Sequence, residues 1–111
     1  PNLDASRVAV IGGSYGGYVS LASMTLYNDK LKCGVDLFGI SNFVSFLKNT
    51  SAYRADLRRA EYGDERDPKM VEYFQKISPM TNIKNITKPM FVYQGENDPR
   101  VPLSESEQMV E

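Results

Sequence analysis

At 111 residues the chain holds one domain at most. Its 41% hydrophobic and 24% charged residues are those of an ordinary globular protein, and a formal net charge of −1 gives no electrostatic case for nucleic acid or an anionic membrane surface. No apolar run reaches bilayer-spanning length, no stretch reads as a signal peptide or transit sequence, and the single cysteine, Cys33, excludes a disulfide framework and favours a reducing, cytoplasmic setting.

After a polar lead-in, Arg7-Val8-Ala9-Val10-Ile11 is a continuous apolar run, as expected of a strand buried on both faces of a parallel sheet. Gly12-Gly13-Ser14-Tyr15-Gly16 follows, and then a helical stretch from Gly16 to Tyr27. Val19, Ala22, Ser23 and Leu26 give that stretch a face of small and apolar residues, and Asn28-Asp29-Lys30 ends it. A second strand is expected in Cys33 to Phe38, with Cys33 a buried, inert thiol. Strand, helix, strand in this order is a βαβ unit and favours a parallel sheet.

The aromatic and charged stretch from Ile40 to Gly63 reads as one or two short helices outside the sheet. There Arg54, Arg58 and Arg59 read as a solvated face. Asp67-Pro68 opens another helix, with Asp as N-cap and Pro at its first position. Met70, Val71, Phe74 and Ile77 form the apolar face of that helix, and Ser78-Pro79 stops it. Lys88 to Gln94 is a third strand, Gly95 to Pro102 the loop after it, and Ser104-Glu105-Ser106-Glu107 a capping box opening a last helix.

The chemistry gathers at two of these turns. Gly12-Gly13-Ser14-Tyr15-Gly16 fits the G-x-S-x-G nucleophile elbow, in which a serine sits on a strained strand-to-helix turn with its hydroxyl exposed. Glycines suit the turn because a Cβ there would collide with its neighbours and because such turns use backbone angles that Gly adopts cheaply. The rival reading, a phosphate-binding loop, lacks its G-K-[ST]. In an open parallel sheet functional groups collect at the C-terminal strand ends, so Ser14 and Asp98 fall on one edge. Their order matches the Ser, acid, His sequence of hydrolases on this fold, and the Tyr15 N–H would supply one oxyanion donor. Asn97-Asp98-Pro99 is equally good turn chemistry, so position alone leaves the role of Asp98 open. No metal site and no cofactor is expected. The chain contains no histidine. It starts at Pro1 and stops at Glu111 inside a helix-like stretch, so both ends read as cut and the chain as part of a larger protein.

Gly12 to Tyr18 resembles the active-serine motif of the prolyl oligopeptidase family of serine peptidases, and Gly95 to Pro102 resembles its aspartate loop. Glu61-Tyr62-Gly63 followed by Ile77-Ser78-Pro79 resembles the acylaminoacyl-peptidase-like members. The resemblance implies an incomplete α/β-hydrolase catalytic domain over residues 1–111, with the early strands and the histidine loop outside it. It also implies an N-terminal β-propeller in the parent chain and short peptides as substrates. It implies Ser14 as nucleophile, Asp98 as triad acid and Arg100 as a ligand for a substrate carbonyl, against the alternative of a surface loop charge. Phe43, Phe46 and Tyr53 are candidate substrate contacts, against the alternative of core packing. Gln94 departs from the family, which often carries histidine there. The triad histidine would lie beyond Glu111, and the 111 residues alone are expected to be inactive. The rival functions are an esterase or lipase on the same fold and a non-catalytic interaction module.

Overall fold

The computed structural model describes residues 2–110. Three strands, β1 (Ala9–Gly13), β2 (Cys33–Leu37) and β3 (Met90–Tyr93), lie side by side in that order, all parallel. Helix α1 (Tyr15–Leu26) joins β1 to β2. Between β2 and β3 run α2 (Phe43–Asn49), α3 (Ala52–Tyr62), α4 (Pro68–Ile77) and a short 3₁₀ stretch, Pro79–Asn85, and α5 (Leu103–Val110) follows β3. No helix among the described residues is long and apolar enough to cross a membrane.

β1 lies two residues later than the apolar run predicts, so that Gly12 and Gly13 belong to the strand itself. The sheet is also not buried on both faces. Register places Ile11, Val35 and Phe91 in one row and Gly12, Asp36 and Val92 in the next. Helices α1 and α5 pack on the second side. On the first, Ile11 and Phe91 are 67% and 61% exposed, because no element among the described residues covers them. Cys33 is half-buried rather than sealed.

Helix α1 has the expected period but a different phase. Gly17, Ser20, Leu21 and Met24 face the sheet, whereas Val19 and Leu26 point outward. The sheet decides this. β2 presents Gly34 and Asp36 to the helix, and the approach is so near that a methyl on Gly34 would lie 2.9 Å from the Met24 side chain. Small residues at the first turn and flexible Met24 further along suit that surface; branched Val19 does not.

The main apolar core lies beyond the strand ends, where the stretch from Ile40 to Gly63, set by the sequence outside the sheet, packs with α4 and the loop after β3. Ile40, Phe43, Phe46, Leu47, Phe74 and Val101 are buried together. Each large apolar side chain so buried contributes roughly 1.5–3 kcal/mol. Phe43 stacks on Phe74 at 5.7 Å between centroids, and Tyr18 meets Phe43 edge-on at 4.9 Å. Asp67 caps α4 as expected, accepting from the Lys69 N–H at 2.9 Å with Pro68 at the first position. Asn42 caps α2 in the same way, accepting from Val44 and Ser45.

Two polar expectations are corrected. Arg58 and Arg59 do not form a solvated face. The Arg58 guanidinium lies over the Phe46 and Tyr62 rings at 5.8 and 6.0 Å. Arg59 grips buried Glu65 with contacts down to 2.6 Å, which holds the Glu65 carboxyl below its usual range. The capping box does not form either, because α5 already begins at Leu103 and Ser104 lies inside it.

Glu105 instead turns inward and is fully buried. Its Oε1 accepts from the Ser41 and Asn42 N–H groups at 3.2 and 3.0 Å. Its Oε2 accepts from Ser45 Oγ at 2.6 Å and Gln108 Nε2 at 3.0 Å. One carboxylate thus ties α5 to the turn between β2 and α2. Glu105→Ala in the full-length protein leaves a buried and a half-buried amide without an acceptor. Chemical denaturation should show a loss of about 2–4 kcal/mol; a loss below about 1 kcal/mol would mean that other acceptors replace the carboxylate.

Candidate active site

The turn between β1 and α1 is built by sterics. Ser14 carries φ 57° and ψ −117°, a backbone state that a non-glycine residue occupies at a cost of about 1–3 kcal/mol. The elbow glycines do not share that angle; among the described glycines only Gly63 has positive φ. Their role is room, as expected, but not at every position. A methyl on Gly12 would fall on the Gly16 carbonyl oxygen, whereas one on Gly16 would meet nothing. The strain at Ser14 is held by the sheet, since the Ser14 N–H donates to the Leu37 carbonyl at 3.0 Å and extends the β1–β2 ladder into the turn. The Ser14 side chain makes no capping bond to α1, so its hydroxyl and the helix's leading N–H groups are left for another partner.

The second half of the site is the loop after β3. Asp98 Oδ1 accepts from the Arg100 and Val101 N–H groups at 2.7 and 3.1 Å, an Asx turn of the kind that Asn-Asp-Pro favours. Oδ2 has no hydrogen-bond partner among the described residues. Turn chemistry and availability for catalysis are therefore compatible, one oxygen serving each. The loop is fixed at both flanks. Gln94 Nε2 donates to the Val101 carbonyl at 3.0 Å while its Oε1 accepts from Ser106 Oγ at 3.0 Å. Ser51 Oγ donates to the Pro99 carbonyl at 2.9 Å.

Ser14, Phe38, Asp98, Pro99, Arg100 and Val101 line one cleft of about 440 Å³. The two predicted catalytic side chains thus share a cavity, and exposed Arg100 stands at its wall with no ion pair among the described residues. The other candidates are placed elsewhere. Phe43 and Phe46 are buried in the core, and Tyr53 on α3 is 69% exposed and outside this cleft. Tyr15 begins α1, and its ring stacks on Tyr62 at 6.0 Å. Phe38 was not singled out by the sequence. It lies at the end of β2 with φ 44°, and its ring packs over Gly13.

Asp36 was also missed, although a charge inside the apolar run Val35 to Leu37 is the signal that marks it. It is fully buried below the elbow, opposite Gly12 in the register, and neither carboxylate oxygen has a hydrogen-bond partner among the described residues. Burial pushes its carboxyl from 3.8 up to about 6, and the nearby Gly39 N–H offsets a little of that without hydrogen-bond geometry.

A parallel sheet whose strand runs into a serine elbow, with an acid loop after a later strand, is the α/β-hydrolase fold, and its structural neighbours share it. The sequence matches the prolyl oligopeptidase family over residues 2–111, and the chain belongs to that family. It is 40% identical over 109 residues to dipeptidyl peptidase family member 6 of Caenorhabditis elegans. It is 39% identical over 107 residues to dipeptidyl aminopeptidase BIII of Pseudoxanthomonas mexicana. These matches cover 95% and 94% of this chain but only 15% and 16% of the relatives' own lengths. A puromycin-hydrolyzing peptidase of Mycobacterium tuberculosis superposes with a TM-score of 0.84 at 32% identity, over 96% of this chain and 16% of that one. An acylaminoacyl peptidase of Pyrococcus horikoshii gives 0.84 at 25% identity, over 96% and 17%.

The Asp36 carboxyl fixes the sign of one pH effect. Its folded-state value lies above its ordinary 3.8, so the folded protein binds this proton more tightly than the unfolded chain does. Stability is then lost as pH rises from 3.8 to about 6. Asp36→Asn cannot ionise, so its stability relative to wild type should grow across that window, by up to about 3 kcal/mol. Denaturation midpoints of both proteins at pH 4.5 and 7.5 measure it; a difference independent of pH would contradict the assignment.

Proposed function

We propose that the full-length protein is a serine peptidase that hydrolyses short peptides through an acyl-enzyme on Ser14. The observation that carries this reading is the shared cleft. It brings a serine held at positive φ on a strand-to-helix turn to an aspartate with one oxygen anchored and the other free. Ser14 Oγ attacks the scissile carbonyl, and the Tyr15 N–H donates to the oxyanion that forms. The base that takes the Ser14 proton and later delivers it to the leaving amine is a histidine supplied from outside these 111 residues, which contain none. Asp98 Oδ2 orients that imidazole and stabilises its charged form. Arg100, exposed beside the acid, binds a substrate backbone carbonyl with its guanidinium. The second oxyanion donor, the early strands and an N-terminal β-propeller that admits short peptides belong to the rest of the parent chain. The relatives' peptidase names support this reading over an esterase or a non-catalytic module.

An active-site fluorophosphonate on the full-length protein, followed by peptide mapping, should place the label on Ser14, and label elsewhere would sink the assignment. Asp98→Ala should lower kcat on a peptide amide roughly 10³- to 10⁴-fold, whereas Arg100→Ala should act mainly on KM. Short acyl esters assayed beside peptide amides test the peptidase reading, which fails if only the esters turn over. The 111-residue chain by itself should show no peptidase turnover, since no residue in it can serve as the imidazole base.

A further inference from the structure

Asp36 is a costly residue to keep. A carboxyl group with no exposed surface and no hydrogen-bond partner among the described residues loses its hydration and gains in return only the nearby Gly39 N–H, outside hydrogen-bond geometry. Its surroundings show what it does occupy. α1 crosses the end of β2 with Gly17 against Gly39, so near that a methyl on Gly17 would lie 2.5 Å from the Gly39 Cα and 2.5 Å from Asp36 Oδ1. A methyl on Gly39 would likewise meet both Asp36 Oδ1 and the Gly17 backbone. The flat carboxyl therefore fills the corner left by two glycine backbones, and Gly17 is in the first turn of α1, three residues after Ser14.

The same strand end holds the elbow from the other side. Asp36 is the register partner of Gly12, and the next carbonyl along, that of Leu37, accepts from the Ser14 N–H at 3.0 Å. Further into the helix the packing changes to Leu21 and Met24, and the close approach there, Gly34 against Met24, meets the end of a flexible side chain rather than backbone.

We propose that Asp36 is a positioning residue for Ser14: its carboxyl group is the spacer that sets how far the first turn of α1 stands from the end of β2, and so where the Ser14 hydroxyl and the Tyr15 N–H point. The proposal rests on the reading of Ser14 as nucleophile. The Gly39 N–H beside the carboxyl does not reach hydrogen-bond geometry, so shape rather than a hydrogen bond carries the effect. Asparagine, with the same outline, substitutes for it, and a shorter side chain lets the helix settle.

The test is the second-order rate at which a fluorophosphonate labels Ser14 in the full-length protein, measured beside the thermal midpoint. Asp36→Asn should label within about 3-fold of wild type and Asp36→Ala at least about 10-fold more slowly, the size of effect that a sub-ångström misplacement of a reacting group produces. Met24→Ala, in the same helix–sheet seam but away from the elbow, should lower the midpoint yet label within about 3-fold of wild type. Wild-type labelling by Asp36→Ala, or equal slowing by Met24→Ala, overturns the proposal. If Asp36→Ala does not fold, Asp36→Ser carries the same comparison, slowed where Asp36→Asn is not. Absence of label on Ser14 in the wild-type protein would instead remove the nucleophile reading, and this inference with it.

Discussion

Helix α1 can offer its first turn to the cleft only because glycine faces glycine where it crosses the end of β2. Without side chains at Gly17 and Gly39 the helix axis comes down onto the sheet, and the turn from β1 must close within a single residue. Ser14 carries that closure as a positive φ, held by its hydrogen bond to Leu37. The uncommitted hydroxyl of half-buried Ser14 and the uncapped helix end are thus two results of one short distance between a helix and a strand.

The rest of the chain holds the partner loop in place against this turn. The aspartate loop springs from β3, but its anchors come from elsewhere: Gln94 and Ser106 across its base, Ser51 on its flank, and Glu105 tying the helix behind it to the β2–α2 turn. These polar ties work because the apolar cluster of α2, α4 and Val101 fixes the elements that bear them. The cleft lies where a sheet half and a helical half of the structure meet. Its shape therefore depends on packing far from either Ser14 or Asp98.

What the sequence discloses follows from how local each feature is. The elbow is legible because an apolar run, a glycine pair and a serine are consecutive, and the Asx turn is legible because Asn97-Asp98-Pro99 builds it alone. Capping of α4 by Asp67 is local too, and was expected correctly. The phase of α1 depends on how near β2 comes, which residues 15–26 do not encode by themselves. Arg58 and Arg59 look like surface charges until Phe46, Tyr62 and Glu65 are brought beneath them from other segments. Glu105 sits in a stretch with every mark of a helix start, and only Ser41, Asn42 and Ser45, some sixty residues away in the chain, turn it inward. Asp36 was readable in part: a carboxylate amid Val35 and Leu37 signals an exception without saying what the exception is for.

The unequal treatment of the two Asp98 oxygens has a consequence for tautomers. Two amide donors hold Oδ1, so the carboxylate cannot spin about its Cβ–Cγ bond and exchange its oxygens without losing both bonds. An asparagine built in its place would have to keep its carbonyl on those donors, because its NH₂ group there would face two N–H groups with nothing to accept. Its NH₂ would then point outward, offering a donor where the proposed imidazole needs an acceptor. The ring could meet it only with the proton on the wrong nitrogen. The Asx turn thus does more than shape a loop: it makes the two oxygens of Asp98 inequivalent, one bound to the protein and the other left for the proposed imidazole, whose protonated nitrogen it would select.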